Sequence, residues 1–427
     1  MRRYLACAIF LGVPLLCLAA MVVYNIPPVN ERLAWRVEAL QARIKYALNP
    51  PAEVVFVPEE QQNTPATRLQ WPTDTPTPLP TVTPLTPNPT ATITPTPAFT
   101  PTPIAGTALL EGFVHEYQRW NNCGPANLSM NLSYWEWEGD QYDTAAYLKP
   151  NARDHNVMPY EMVDFVQGNT NLQALSRVGG DLDLLKRFIA AGIPVLIEKG
   201  FEGAGFDGWM GHYEVINGYD DANQRFTVQD SYKGPNILIN YPDLESQWRA
   251  FNYTYIVIYP PERESEVMDI LGRHADPEFS SQVALQKAVD ETTRLTDRDL
   301  FFAWYNRGTN LVNMHDYTGA ATAYDAAFAH YSQVPRELRP WRMLWYQTGP
   351  YFAYYYTQRF EDVINLATTT LTAMSEPNLE ETYYWRGMAY AALGQNDKAI
   401  ADLQTALKYH ENFLPAIQQL GQMGVQP

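Results

Sequence analysis

An uninterrupted apolar run opens the chain. Tyr4 to Ile26 carries no charge, and Arg2 and Arg3 stand just before it. A run of that length predicts a helix able to cross a hydrocarbon core of ~30 Å. The two arginines place its N-terminus in the cytoplasm and everything after it outside. A cleaved signal peptide is the competing reading, but Leu18-Ala19-Ala20 makes a poor small-residue site and the apolar run continues past it. Next, Leu33, Val37, Leu40, Ile44 and Leu48 recur at helical spacing. They predict an amphipathic helix that extends from the membrane, lies on its surface, or pairs as a short coiled coil.

From Leu109 to Pro261 two periods follow one another. Helical patterns cover Pro125–Glu136, Pro159–Val166 and Asp181–Ala191. Strand patterns then cover Ile193–Glu198, His212–Gly218, Arg225–Asp230, Ile237–Ile239 and Tyr253–Tyr259, separated by Gly, Asp and Asn turn signals. Helices first and an antiparallel meander after them predict an α+β domain. Beyond Pro261 the pattern is helical to the end and repeats. Trp304, Gly308, Ala320, Tyr324 and Ala327 share their offsets with Tyr383, Gly387, Tyr390, Ala399, Leu403 and Ala406. Trp345, Gly349, Phe352, Val363 and Ala367 form a weaker copy between them. These units resemble tetratricopeptide repeats, with Pro277–Leu295 as a preceding helix, and three of them are about the minimum for a stable stack.

Composition completes the domain plan. Residues 72–103 are mostly Pro and Thr, with too few apolar groups for a core, which predicts an extended spacer. At ~3.1 Å per residue it reaches about 100 Å. The plan is therefore an anchor over 1–28, an amphipathic helix and spacer over 29–71, a linker over 72–106, an α+β domain over 107–262 and a repeat domain over 263–427. The formal charge of −17, with no basic stripe, excludes a nucleic-acid partner. The partners expected are a peptide or protein substrate, a protein bound by the repeats, and the membrane through the anchor. The expected location is a single-pass protein of the cell membrane with its C-terminal domains outside.

Of three cysteines, Cys7 and Cys17 lie in the anchor, so Cys123 has no intramolecular disulfide partner outside the membrane. Gly124-Pro125 follows it and signals a helix start. There the helix dipole lowers a thiol pKa and makes a ready nucleophile. The alternative is a small hydrophobe packed at a helix start. A nucleophile needs a base. Among seven histidines, His212 opens a strand after a Gly-rich loop, GAGFDGWMG. A hairpin turning about Asp221 sets Asp230 directly opposite it, where a carboxylate can orient the imidazole. Two ordinary polar strand ends are the alternative. Gln118, five residues before Cys123, is available as an oxyanion donor beside the Cys123 N–H, or is a surface glutamine. Asn121 and Asn122 are assigned to the turn entering the helix. No metal is implied, because Cys123 has no second thiol and the histidines lack ligand spacing. No cofactor is implied either.

Gln118…Asn122-Cys123-Gly124-Pro125-Ala126, then Gly211-His212-Tyr213-Glu214-Val215-Ile216-Asn217-Gly218-Tyr219-Asp220, then Val228-Gln229-Asp230-Ser231, resembles the papain-like cysteine peptidases related to the leader-processing domains of bacteriocin exporters, which cut after a double-glycine site. The resemblance implies a Cys123 helix on an antiparallel sheet carrying His212 and Asp230, with Gln118 in the oxyanion hole. Gln118 stands one residue closer to the cysteine than the usual papain-like spacing. The chain has no GxxxxGK[ST] loop and no multi-span transporter domain, so it is not an exporter. The function expected is a membrane-anchored extracellular cysteine peptidase or amidase with a repeat module. The alternatives are an inactive peptide-binding scaffold and an acyltransferase using the same thiol.

Overall fold

A computed structural model describes residues 18, 20–48, 55–58, 104–203 and 208–426. Of the expected anchor only residues 18 and 20–28 are among these, with 20–24 helical, and of the Pro/Thr linker only 104–106. Among the described residues no helix is long and apolar enough to cross a membrane.

After a turn at 25–26, helix α1 (Pro27–Leu48) matches the expected amphipathic one, but its apolar stripe does not face the body. Leu33, Leu40, Ile44 and Leu48 are exposed, whereas Ala34 is fully buried. The polar side makes the contacts: Glu38 binds the Arg119 guanidinium, and Lys45 Nζ lies 2.9 Å from Glu376 Oε1. Phe56, in the spacer beyond, is inserted between Phe328 and Tyr354, at ring distances of 5.0 and 6.1 Å.

The α+β domain begins with β1 (Thr107–Leu109), followed by α2 (Cys123–Tyr134), α3 (Gln141–Leu148), α4 (Pro159–Asn169), β2 (Gln173–Arg177) and α5 (Leu182–Ala190). The meander follows as β3 (Val195–Gly203), β4 (Gly208–Asp220), β5 (Arg225–Asp230) and β6 (Gly234–Asn240), then α6 (Tyr241–Arg249) and β7 (Tyr255–Tyr259). The expected helices and strands are present. The expectation lacked β1, α3, β2 and α6, which are short or carry a weak period. The sheet runs β2-β7-β3-β4-β5-β6, with β1 on β4, and every pairing is antiparallel.

Alternation along the strands gives the sheet two apolar faces. Tyr213, Val215, Leu196 and Ile256 pack against Leu128 and Leu132 of α2. Ile216, Val195, Ile197 and Val257 pack against Leu184, Leu185, Phe188 and Ile189 of α5. The Cys123 helix is thus clamped onto the sheet by burial worth ~1.5–3 kcal/mol per large apolar side chain.

Helices α7 (Glu264–Leu271) and α8 (Pro277–Arg294) lead into the repeats. The repeats are α9 (Asp297–Asn313) with α10 (Tyr317–Tyr331), then α11 (Met343–Tyr346), α12 (Gly349–Tyr356) and α13 (Phe360–Ala373), then α14 (Glu380–Ala392) with α15 (Asn396–Tyr409), and a final α16 (Leu414–Gln422). The weaker middle copy differs from expectation. Trp345 and Gly349 belong to separate helices, because Pro350 follows Gly349 and its ring is tolerated only in a first turn. The outer units pack as expected. A Cβ on Gly308 would stand 2.7 Å from the Tyr324 ring, so only glycine lets α9 and α10 come this close.

The two domains share a core. The arm expected to be a Gly-rich loop continues β3 and β4 as far as Gly203 and Gly208. Trp209 on that arm is buried and stacks on Phe251 at 6.0 Å and on Phe302 of α9 at 5.8 Å. Arg342 Nη1 donates to Trp209 O (2.8 Å), Gln347 Nε2 to Ala250 O (2.8 Å) and Asn306 Nδ2 to Arg249 O (2.7 Å). Asn252 and Asn310 exchange two hydrogen bonds of 2.8 and 3.0 Å.

Candidate active site

Cys123 is the first residue of α2, and Asn122 does not cap that helix with its side chain. Asn122 is drawn away: its Oδ1 accepts from Lys149 Nζ at 3.0 Å and its Nδ2 donates to Gln141 Oε1 at 3.3 Å. The first-turn N–H groups therefore stay open beside the thiol, where helix geometry favours a negative charge. Asn121 turns the chain into the helix with a left-handed φ of 54°.

His212 is buried, and its Nε2 lies 2.8 Å from Asp230 Oδ1. That contact leaves Nδ1 for Cys123, whose side chain is within hydrogen-bonding reach of the ring. Phe201 covers the imidazole at 4.8 Å. Burial alone would lower the His212 pKa. The charge and hydrogen bond of Asp230, reinforced by Cys123, outweigh burial and lift the value to about 9. Burial likewise opposes ionisation of Asp230. His212, Lys199 and the Tyr232 N–H (2.8 Å to Oδ1) overcome it and hold the carboxyl well below the usual range. Lys199 is itself paired with Glu214 at 2.5 Å in the interior.

Gln118 is oriented by a chain of hydrogen bonds. The Cys123 carbonyl can only accept, so the atom of Asn127 that lies 2.8 Å from it is the donor Nδ2. Asn127 Nδ2 also donates to Ser231 Oγ at 2.8 Å, and the Ser231 hydroxyl then donates to Gln118 Oε1 at 2.9 Å. The Gln118 Nε2 is left as a donor, a few residues from the open N–H of Cys123. The structure thus gathers Cys123, His212, Asp230 and Gln118. It also shows that Asn127 and Ser231 orient Gln118, which the sequence reading missed. Asn127 stands one helical turn after Cys123, and that i, i+4 spacing was the available signal.

Two more missed residues line the same small cavity, whose volume of about 10 Å³ suits roughly one water. His155 accepts from Asn121 Nδ2 on its Nδ1 (2.8 Å), and burial beside Arg342 and Lys149 depresses its pKa to about 3. It is therefore a weakly basic imidazole that does not become the cation paired with the thiol. Glu198 is buried close to Cys123, and burial, reinforced by the cysteine, raises its pKa well above normal. The Tyr213 hydroxyl donates to Val157 O at 2.9 Å and stands beside Glu198. The raised pKa favours the neutral acid, the form that adds no negative charge beside the sulfur. A Glu ending the apolar run Ile193–Ile197 was its sequence signal.

An open nucleophile at a helix start, a buried His–Asp pair and an amide donor make a set suited to acyl chemistry on a carbonyl. Residues 111–256 match the Peptidase_C39 like family. Residues 380–413 match the tetratricopeptide repeat. Among solved structures, the chain is similar to a crystal structure described as a C39-like peptidase from Bacillus anthracis (17% identity, TM-score 0.30, 36% of this chain and 96% of that one). It is also similar to a double glycine motif protease from an AMS/PCAT transporter, solved with its leader peptide (17% identity, TM-score 0.27, 36% and 98%). No curated protein matches the sequence.

Proposed function

We propose that the chain is a cysteine peptidase or amidase, anchored in the cell membrane with its folded domains outside. The hydrogen bond of 2.8 Å between buried His212 and Asp230, beside Cys123 at an uncapped helix start, carries this reading. The Cys123 sulfur attacks the substrate carbonyl carbon. The developing oxyanion is met by the Cys123 N–H and Gln118 Nε2. The C–N bond breaks as His212 gives its proton to the leaving amine. Water then attacks the thioester, His212 takes a proton from it, and the acid leaves. Asp230 keeps the imidazole oriented throughout. Arg2-Arg3 before the apolar run and the Pro/Thr spacer support the anchoring.

Iodoacetamide labelling of Cys123, followed by mass spectrometry across pH, tests the site. His212→Ala should slow labelling at pH 6 by at least tenfold, and Cys123→Ala should abolish peptide hydrolysis. Identical labelling profiles with and without His212 overturn the reading.

A further inference from the structure

The small cavity at Cys123 adjoins a larger one. Glu198 and Tyr346 line it and also line a cleft of about 780 Å³ between the two domains. That volume falls in the ~300–1,000 Å³ range of ligand sites. One wall belongs to the α+β domain and includes Tyr160 and Arg177. The other belongs to the repeats and includes Val312 and Phe352. Around the cleft the domains are locked by the Trp209 stack and the Asn252–Asn310 pair, so the opening is held by a rigid frame.

We infer that this cleft is the groove for the polypeptide flanking the scissile bond, with the repeats as its second wall and Glu198 and Tyr346 flanking the passage to Cys123. The inference rests on the cysteine-peptidase reading of Cys123. Its chemistry points to a largely apolar stretch of chain. Arg177 turns three of its five N–H donors to the carbonyls of His274, Ser176 and Ala275, which holds its guanidinium against its own wall. Glu381 is half-buried, and burial beside Glu380 and Glu161 raises its pKa to about 8, which favours its neutral form at pH 7. Val312 and Phe352 offer apolar surface, and Glu198 keeps an acceptor oxygen for a backbone N–H. Tyr346 is fixed from behind: a Cβ on Gly211 would stand 3.1 Å from its ring, and Phe251 meets it edge-on at 5.7 Å. In this reading the repeats select substrate at the site itself.

The test uses the full chain carrying Cys123→Ala, so that nothing is turned over. It is irradiated with a mixed-sequence decapeptide library bearing one benzophenone residue, and the cross-links are mapped by mass spectrometry. Cross-links should concentrate at Tyr160, Val312 and Phe352. They should fall at least tenfold when Asn313→Trp or Ser281→Trp, both on the side of the repeat domain, fills the cleft. In the protein that keeps Cys123, both substitutions should leave iodoacetamide labelling unchanged, since that reagent is small. Absent cross-links, cross-links that avoid these walls, or cross-links indifferent to both substitutions overturn the groove. The peptidase reading fails by a separate result, labelling of Cys123 that ignores His212, whatever the cross-link map shows.

Discussion

Asp230 reaches His212 diagonally across β4 and β5, not from directly opposite. Near the turn, Asp220 pairs with Arg225 and Gly218 with Thr227; beyond it, Ile216 pairs with Val228 and Val215 with Gln229. Asn217 is the extra residue. Without it the register would bring Asp230 level with Val215, whose side chain points to the other face from His212. The bulge brings Asp230 level with Glu214 instead, two residues from His212 and on the same face, which is how bulges re-aim side chains. The backbone of Leu110 pins it, donating to Asn217 O at 2.7 Å and accepting from Asn217 Nδ2 at 3.0 Å.

Asn217→Ala removes that side-chain anchor inside the protein and should cost about 1–3 kcal/mol in urea unfolding. Deletion of Asn217 should be more specific. In the folded fraction, labelling of Cys123 should no longer respond to Asp230→Asn, because the carboxylate has left the histidine's face.

Stability should carry the signature of the buried pair. His212 has a folded value of about 9 against an ordinary 6.5. A raised cationic group adds its stability in full below about pH 6.5 and loses it as pH rises through about 9. The unfolding free-energy difference between the wild-type chain and His212→Gln should therefore shrink by about 2–3 kcal/mol from pH 6.5 to 9.5. A difference that stays constant would mean that His212 is neutral in the folded chain.

Gln118→Ala should lower kcat by ~10²–10³-fold, the usual effect of losing one oxyanion donor. Ser231→Ala only frees the Gln118 amide to turn, so its loss should be smaller, about tenfold. Neither should alter iodoacetamide labelling, because no oxyanion forms in that reaction. A parallel fall in labelling would move Gln118 from the oxyanion to the thiol.

Glu38 ties α1 to the loop that leads into Cys123. It binds the Arg119 guanidinium, with Nε at 2.9 Å, and accepts from the Trp120 N–H at 2.9 Å. Glu38→Ala should loosen Gln118–Asn122 and reduce kcat several-fold with little change in melting temperature. Hydrogen exchange at Trp120 should rise in step; an unchanged exchange rate would show that the loop holds itself.

The sequence by itself determined what local period and composition can carry. The Cys123 helix start, the antiparallel meander and the outer repeats were legible, and Cys123, His212, Asp230 and Gln118 could be named as candidates, because hydrophobic spacing, turn residues and residue chemistry are local properties. The tertiary structure alone decided how these meet. The bulge at Asn217 arises where Leu110 from a distant segment anchors it, and a single extra residue reverses which face a strand presents. The orientation of Gln118 depends on Asn127 and Ser231, more than a hundred residues apart. The repeats, expected as a separate module, are joined to the α+β domain because Trp209 packs on Phe302 of α9. The exposed stripe of α1 follows the same rule. Periodicity announces an apolar face, but only long-range contacts such as Glu38 with Arg119 decide which face meets the body.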